Sequence, residues 1–145
     1  MEHLVAVWNY VAAHPVGVLG AIVASFVIGF LIHGPLFGKT WMKFNNIPEP
    51  KPEDIKFSMM VPGIVASVLM AFFQVAVLGR TFEIVALTGV VQALLIATII
   101  WLPFSALVIA NEYAWAGKSW KHIGFDAGYN LLSTWAIAAI AYATL

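Results

Sequence analysis

The chain has 145 residues, 62% of them hydrophobic and only 10% charged, and its seven basic residues balance seven acidic ones. With a mean hydropathy of +0.92, it carries more apolar surface than one small water-soluble core can hide, so a soluble globular domain is excluded and a membrane-embedded chain is expected. The absence of cysteine excludes disulfides and thiolate chemistry.

In chain order, the first stretch, residues 1–15, has Glu2 and His3 where a secretory leader carries Lys or Arg, so a cleaved signal is not expected. Trp8 and Tyr10 suggest an interfacial lead-in to the first span. Charge-free runs follow at Val16–Ile32, Phe57–Gly79, Ile84–Asn111 and Ala127–Leu145, each near the ~18–20 residues that cross a bilayer. They predict an all-α polytopic membrane protein: one domain over 1–145, a bundle of four transmembrane helices with spans at roughly 16–37, 57–79, 84–111 and 123–144. The second and third spans are expected to turn back on each other at Arg80 to Glu83.

Four spans put Lys39, Lys43, Lys51, Lys56, Lys118 and Lys121 on one side and only Arg80 on the other. The positive-inside rule then places both long loops in the cytoplasm and both termini outside. Pro48, Pro50 and Pro52 stiffen the first of these loops, and Pro52, with Glu53 and Asp54 behind it, suits the first turn of the next helix. Pro62 and Pro103 lie inside apolar runs, where each is expected to kink its helix and free a carbonyl that a residue such as Ser105 could satisfy.

The segment Gly34 to Trp41, GPLFGKTW, ends in the Gly-Lys-Thr of a phosphate-binding loop. Its glycines at 34 and 38 are one residue too close, and Pro35 removes an amide donor, so no nucleotide is expected there. The segment Gly38-Lys39-Thr40-Trp41 recurs as Gly117-Lys118-Ser119-Trp120, each time after an outward-to-inward span. This suggests two tandem helical hairpins related by an axis near the membrane normal. In both copies the glycine reads as a helix terminator, with Trp41 and Trp120 as interface anchors and Lys39 and Lys118 reaching lipid phosphates.

Gly34-Pro35-Leu36-Phe37-Gly38-Lys39-Thr40-Trp41-Met42-Lys43, taken with Gly117-Lys118-Ser119-Trp120 and Asp126-Ala127-Gly128-Tyr129-Asn130-Leu131, resembles the bacterial membrane-protein family known as domain of unknown function 1761. In that family a Ser-Pro-Leu-Phe-Gly-Lys-x-Trp-like segment follows the first span, and an Asn-Ala-Gly-Tyr helix comes later. Here Gly34 and Asp126 replace the family's Ser and Asn, and Ala116 replaces an acidic residue. The resemblance implies a fold and a bacterial inner membrane; it brings no activity.

The polar residues that could form a site converge at the cytoplasmic boundary: His33, Lys39, Glu112, Lys118, His122, Asp126 and Asn130, with Asn111 beside them. A carboxylate and an imidazole at that depth could relay protons or bind a cation. The plainer role is helix-end chemistry, with Asp126 capping the last helix and Glu112 pairing with Lys118 or His122. Gln74 and Gln92 are the embedded polar pair, expected to hydrogen-bond across the central hairpin. No metal-ligand spacing, nucleophile constellation or cofactor signature is found, so neither metal nor cofactor is expected, and an embedded enzyme ranks last. The favoured function is a non-catalytic membrane component that self-associates as a homo-oligomer or packs into a larger membrane complex in the lipid bilayer, with no nucleic acid partner. The alternative is a homo-oligomeric transporter of protons or a small solute.

Overall fold

In a computed structural model the described residues are 2–48 and 57–145. All regular structure among them is helical: α1 Glu2–Ala13, α2 Pro15–Leu31, α3 Gly38–Asn45, α4 Phe57–Val85, α5 Val90–Trp101, α6 Leu107–Trp115 and α7 Trp120–Ala143. Two π-helical turns, at Ile32–Leu36 and Leu102–Ala106, follow α2 and join α5 to α6. The proline-rich loop, with Lys51, Lys56 and the helix start at Pro52, falls outside the described residues.

Three helical stretches are long and apolar enough to cross a membrane: Pro15–Leu36, Met60–Val85 and Val90–Trp115. α7 is not among them, because its N-terminal half carries Lys121, His122, Asp126 and Asn130. It is instead the helix against which the others pack, touching α2, α4, α5 and α6. His122, Ile123, Ser133, Thr134, Ile137, Ala138 and Ala141 are its buried face. The core joins that face to Val18 and Ala21 of α2, Ala71, Val75, Leu78 and Phe82 of α4, and Ala93 and Ala97 of α5. Small residues let the helix backbones approach closely. Gly17 makes the point: a Cβ there would lie 2.2 Å from Thr144 Oγ1.

The central hairpin turns later than the charges suggest. Arg80 and Glu83 remain inside α4 as an i,i+3 pair, 2.8 Å apart, so they satisfy each other on the helix surface and break nothing. The chain leaves α4 at Ala86, whose φ is 51°, and restarts after Gly89. This shift removes the expected contact between Gln74 and Gln92. At ~1.5 Å per residue, Gln74 lies roughly 18 Å from the turn while Gln92 sits on the first turn of α5. Gln92 Oε1 instead accepts from the Thr88 backbone N–H (3.0 Å) and hydroxyl (3.2 Å), folding back on the start of its own helix.

The prolines act differently from one another. Pro62 is carried inside an unbroken α4, and Ser67 Oγ donates to the Gly63 carbonyl 2.8 Å away. Pro103 lies in the π-helical turn after α5. Pro35 lies in the other, where Phe37 N–H reaches back five residues to the Ile32 carbonyl (3.1 Å) and Gly34 leaves helical geometry (φ −109°, ψ −107°).

The two Gly-Lys-(Thr/Ser)-Trp segments consequently have unlike backbones. Gly38 opens α3 and is buried, because a Cβ would come within 2.7 Å of the His33 carbonyl oxygen. Gly117 closes α6 with φ +67°, its N–H on the Ala114 carbonyl (3.1 Å) and the Lys118 N–H on that of Tyr113 (2.9 Å), the Schellman arrangement. Of the two, only Gly117 terminates a helix; Asn46, at φ 53°, performs that task for α3.

Candidate functional site

Breaks in the helices bring the sequence's polar residues together. The π-helical turn folds α3 back so that Trp41 meets His33 and Phe44 lies over His122 and Phe125 near the start of α7, and the Gly117 stop lets Ser119 begin α7 as its N-cap, accepting the His122 N–H at 3.3 Å. The cap is therefore Ser119, and Asp126 stands nearly two turns inside the helix. Its carboxylate faces α6 rather than free backbone amides.

There Tyr113 O–H donates to Asp126 Oδ2 over 2.5 Å, and His122 Nε2 lies 3.3 Å from the same oxygen without hydrogen-bond geometry. The His122 residue is 1% exposed and the Asp126 side chain 12%. Phe44 stacks on the His122 ring at 5.3 Å and 20°, and Tyr113 lies tilted at 4.7 Å on it. Lys118 Nζ sits 4.6 Å above the Tyr113 ring and donates to Asn45 Oδ1 at 2.9 Å, tying α3 to the α6–α7 connection. One turn beyond Asp126, Asn130 Oδ1 is shielded without a partner, as is Asp126 Oδ1.

His33 belongs to an adjoining aromatic group. Its Nδ1 is 3.1 Å from the Gly29 carbonyl, and its ring meets those of Tyr129 (4.5 Å), Trp41 (5.4 Å) and Phe125 (6.4 Å) edge to face. Trp41 is thus half-buried against His33, whereas Trp120, at the first position of α7, is 79% exposed. Lys39 is exposed in the first turn of α3. Glu112 is exposed too and forms no ion pair with Lys118 or His122, which take Asn45 and Asp126.

The structure therefore joins Lys118, His122 and Asp126, sets Asn130 one turn along, places His33 and Trp41 beside them, and leaves out Glu112. It adds Tyr113, Phe44, Asn45, Phe125 and Tyr129, which the sequence reading missed. The spacing of four between His122, Asp126 and Asn130 put one polar stripe on one helix face; nothing local pointed to Tyr113, which reads as an aromatic near a membrane boundary.

Chemically, a phenol, a carboxylate and an imidazole in line can hold or pass a proton. No group of three His, Cys, Asp or Glu side chains able to hold a metal occurs among the described residues. A cavity of about 640 Å³ between α2 and α4 adjoins this frame, bordered by His33, Trp41 and Tyr129; a second, of about 400 Å³, lies between α4 and the α5–α6 stretch, with Thr134 of α7 among its walls.

No curated protein and no solved structure matches the chain. The family model described as Protein of unknown function (DUF1761) matches residues 16–142, and the chain belongs to that family.

Proposed function

We propose that the chain is a four-span integral membrane protein, one domain over its length, acting as a non-catalytic component that associates with itself or with a larger membrane complex. α7 is the fourth span, shielded by α2, α4, α5 and α6, which lets its polar half be held at membrane depth. The observation that carries the reading is the enclosure of the Tyr113–Asp126–His122 group under Phe44. A general base must reach the atom it deprotonates, and this imidazole is covered by protein. The polar group ties α3, α6 and α7 together.

Lys39, Lys43, Lys118 and Lys121 lie toward the α3 end, and Arg80 lies toward the end where His14 meets Thr144. The positive-inside rule puts the lysines in the cytoplasm and both termini outside, in a bacterial inner membrane. Lysine and tryptophan contacts with headgroups set the depth.

The alternative, proton or small-solute transport by a homo-oligomer, draws support from the unpartnered Asp126 Oδ1 and Asn130 Oδ1, two acceptors one turn apart. Purification in mild detergent, followed by reconstitution into vesicles, separates the two. A stable assembly with no proton flux supports the first reading; flux that Asp126→Asn abolishes replaces it with the second. Labelling a single cysteine at position 46 checks the orientation, and strong labelling from outside overturns it.

A further inference from the structure

α4 and α5 are consecutive in the chain, yet their backbones do not approach closely; each packs on α7 instead. The gap between them is the cavity of about 400 Å³, within the roughly 300–1,000 Å³ of small-molecule sites. Phe73 and Phe104, both well exposed, line it along with Trp101, Gln74, Ser105 and Thr134. Gln74 lies near the middle of its span, and no Asp, Glu, Lys, Arg or His contributes to the walls.

Two polar atoms of these walls are anomalous. Gln74 Oε1, an acceptor, and Trp101 Nε1, a donor, are both shielded and without a hydrogen-bond partner. Thr134 spends its hydroxyl on the Asn130 carbonyl, 2.8 Å away, and Ser105 makes no hydrogen bond among the described residues. Trp135, by contrast, places its indole N–H on Thr98 Oγ1 at 2.8 Å. In hydrocarbon an unpaired polar group is costly, and two on one cleft call for a shared occupant.

We propose that this cleft binds a neutral, membrane-soluble molecule whose apolar, unsaturated body carries a hydroxyl or carbonyl head. Once the Trp101 and Gln74 side chains turn out of their shielded positions, the head accepts from Trp101 Nε1 and, where it is a hydroxyl, donates to Gln74 Oε1; the body lies against Phe73 and Phe104. A charged head is disfavoured, since the cleft offers it no counter-ion. Entry is from the lipid, between α4 and α5. This inference rests on the membrane reading. Extraction of the protein from membranes by alkaline carbonate would defeat that reading separately, whatever the ligand result.

The test follows thermal unfolding of the full chain in detergent with farnesol, with decylubiquinone, and with the headless hydrocarbon farnesane, in the wild type, Gln74→Leu and Trp101→Phe. A ligand specific to the folded state raises the melting temperature saturably. Farnesol, decylubiquinone or both should do so and farnesane should not; which of the two binds identifies the head. Trp101→Phe should weaken binding of either headed probe roughly tenfold, the scale of one hydrogen bond lost at a buried site, and Gln74→Leu should do so for farnesol alone, since a carbonyl head has no proton to give to Gln74 Oε1. Gln74→Leu should leave the ligand-free protein as stable as the wild type or more so. Trp101→Phe, which keeps an aromatic ring, serves if Gln74→Leu misfolds. An equal rise with farnesane, unaltered affinity in Trp101→Phe or, for farnesol, in Gln74→Leu, or no rise with either headed probe overturns the proposal. So does a high-yield disulfide between copies of Phe104→Cys in native membranes, which would put a second chain over the cleft.

Discussion

The bundle closes its two ends by opposite means. At the α3 end, polar side chains are taken inside: Tyr113 donates to one oxygen of Asp126, His122 lies beside that oxygen, and Phe44 covers them. At the other end the fit is one of shape. Tyr10, 2% exposed, fills a notch over Gly79, where a Cβ would lie 1.9 Å from the ring. Its neighbour His14, stacked on it at 4.6 Å, reaches the Thr144 carbonyl at 2.6 Å and stands 3.6 Å from Glu83, while the Arg80–Glu83 pair stays at the surface. The break that allows this is His14 itself, which leaves helical geometry before Pro15 (φ −122°, ψ 50°). An end closed by buried pairing is vulnerable to losing a partner, and an end closed by shape is vulnerable to gaining an atom.

The largest expected effect is therefore a deletion at the first end. Asp126→Ala strands the Tyr113 hydroxyl in an enclosed place, at a cost of about 3 kcal/mol, the upper end of what an unsatisfied buried donor costs. Asp126→Asn keeps an acceptor for Tyr113 and should lose less than half as much. Unfolding in mixed detergent gives both values, and identical curves for the two variants would show that the carboxylate does not hold this end. At the other end the damaging change is an addition: Gly79→Ala should cost about 2 kcal/mol through overpacking and should free α1 to protease. Unaltered protection of α1 would mean that Tyr10 can move aside, and that shape does not close this end.

The same contrast explains what the sequence could disclose. The apolar runs made the helical class and the three long apolar stretches legible, because an uninterrupted charge-free run of that length reads directly as one helix long enough to cross a bilayer. Helix ends were less legible, since the residues that seemed to mark them have other partners. Arg80 and Glu83 looked like a loop but pair along α4, and the charged Asp126 looked like a cap although Ser119 holds that position. The recurrence of Gly-Lys-(Thr/Ser)-Trp was real as letters, yet Pro35 moves the first break up to Gly34 and leaves Gly38 opening a helix. Tyr113 could not be found by spacing, because its tie to Asp126 depends on where α6 stops. Two substitutions sharpen this point. Gly117→Ala should cost about 1 kcal/mol through its positive φ, and refolding kinetics aside, the effect should be confined to that backbone strain. Gly38→Ala acts on a residue of ordinary φ and costs through its contact with the His33 carbonyl, so Gly38→Asn should be worse than Gly38→Ala while Gly117→Asn should be milder than Gly117→Ala.

The smallest effect separates the ends by pH. Burial first, and then the nearby charge of Glu83, raise the Tyr10 pKa above its ordinary value. The folded state thus favours the neutral phenol, and an unfolded chain, whose tyrosine titrates near pH ~10, loses its proton first. The stability contributed by this difference is whole below that pH and declines as pH rises through the higher folded value. Melting temperatures taken from pH ~8 to ~11 should therefore fall more steeply for the wild type than for Tyr10→Phe, which has no proton to lose at that site. Parallel slopes would mean that Tyr10 ionises as freely in the fold as out of it, which a ring seated on Gly79 beside a carboxylate could do only if the shape-closed end opens below the temperature at which the bundle melts.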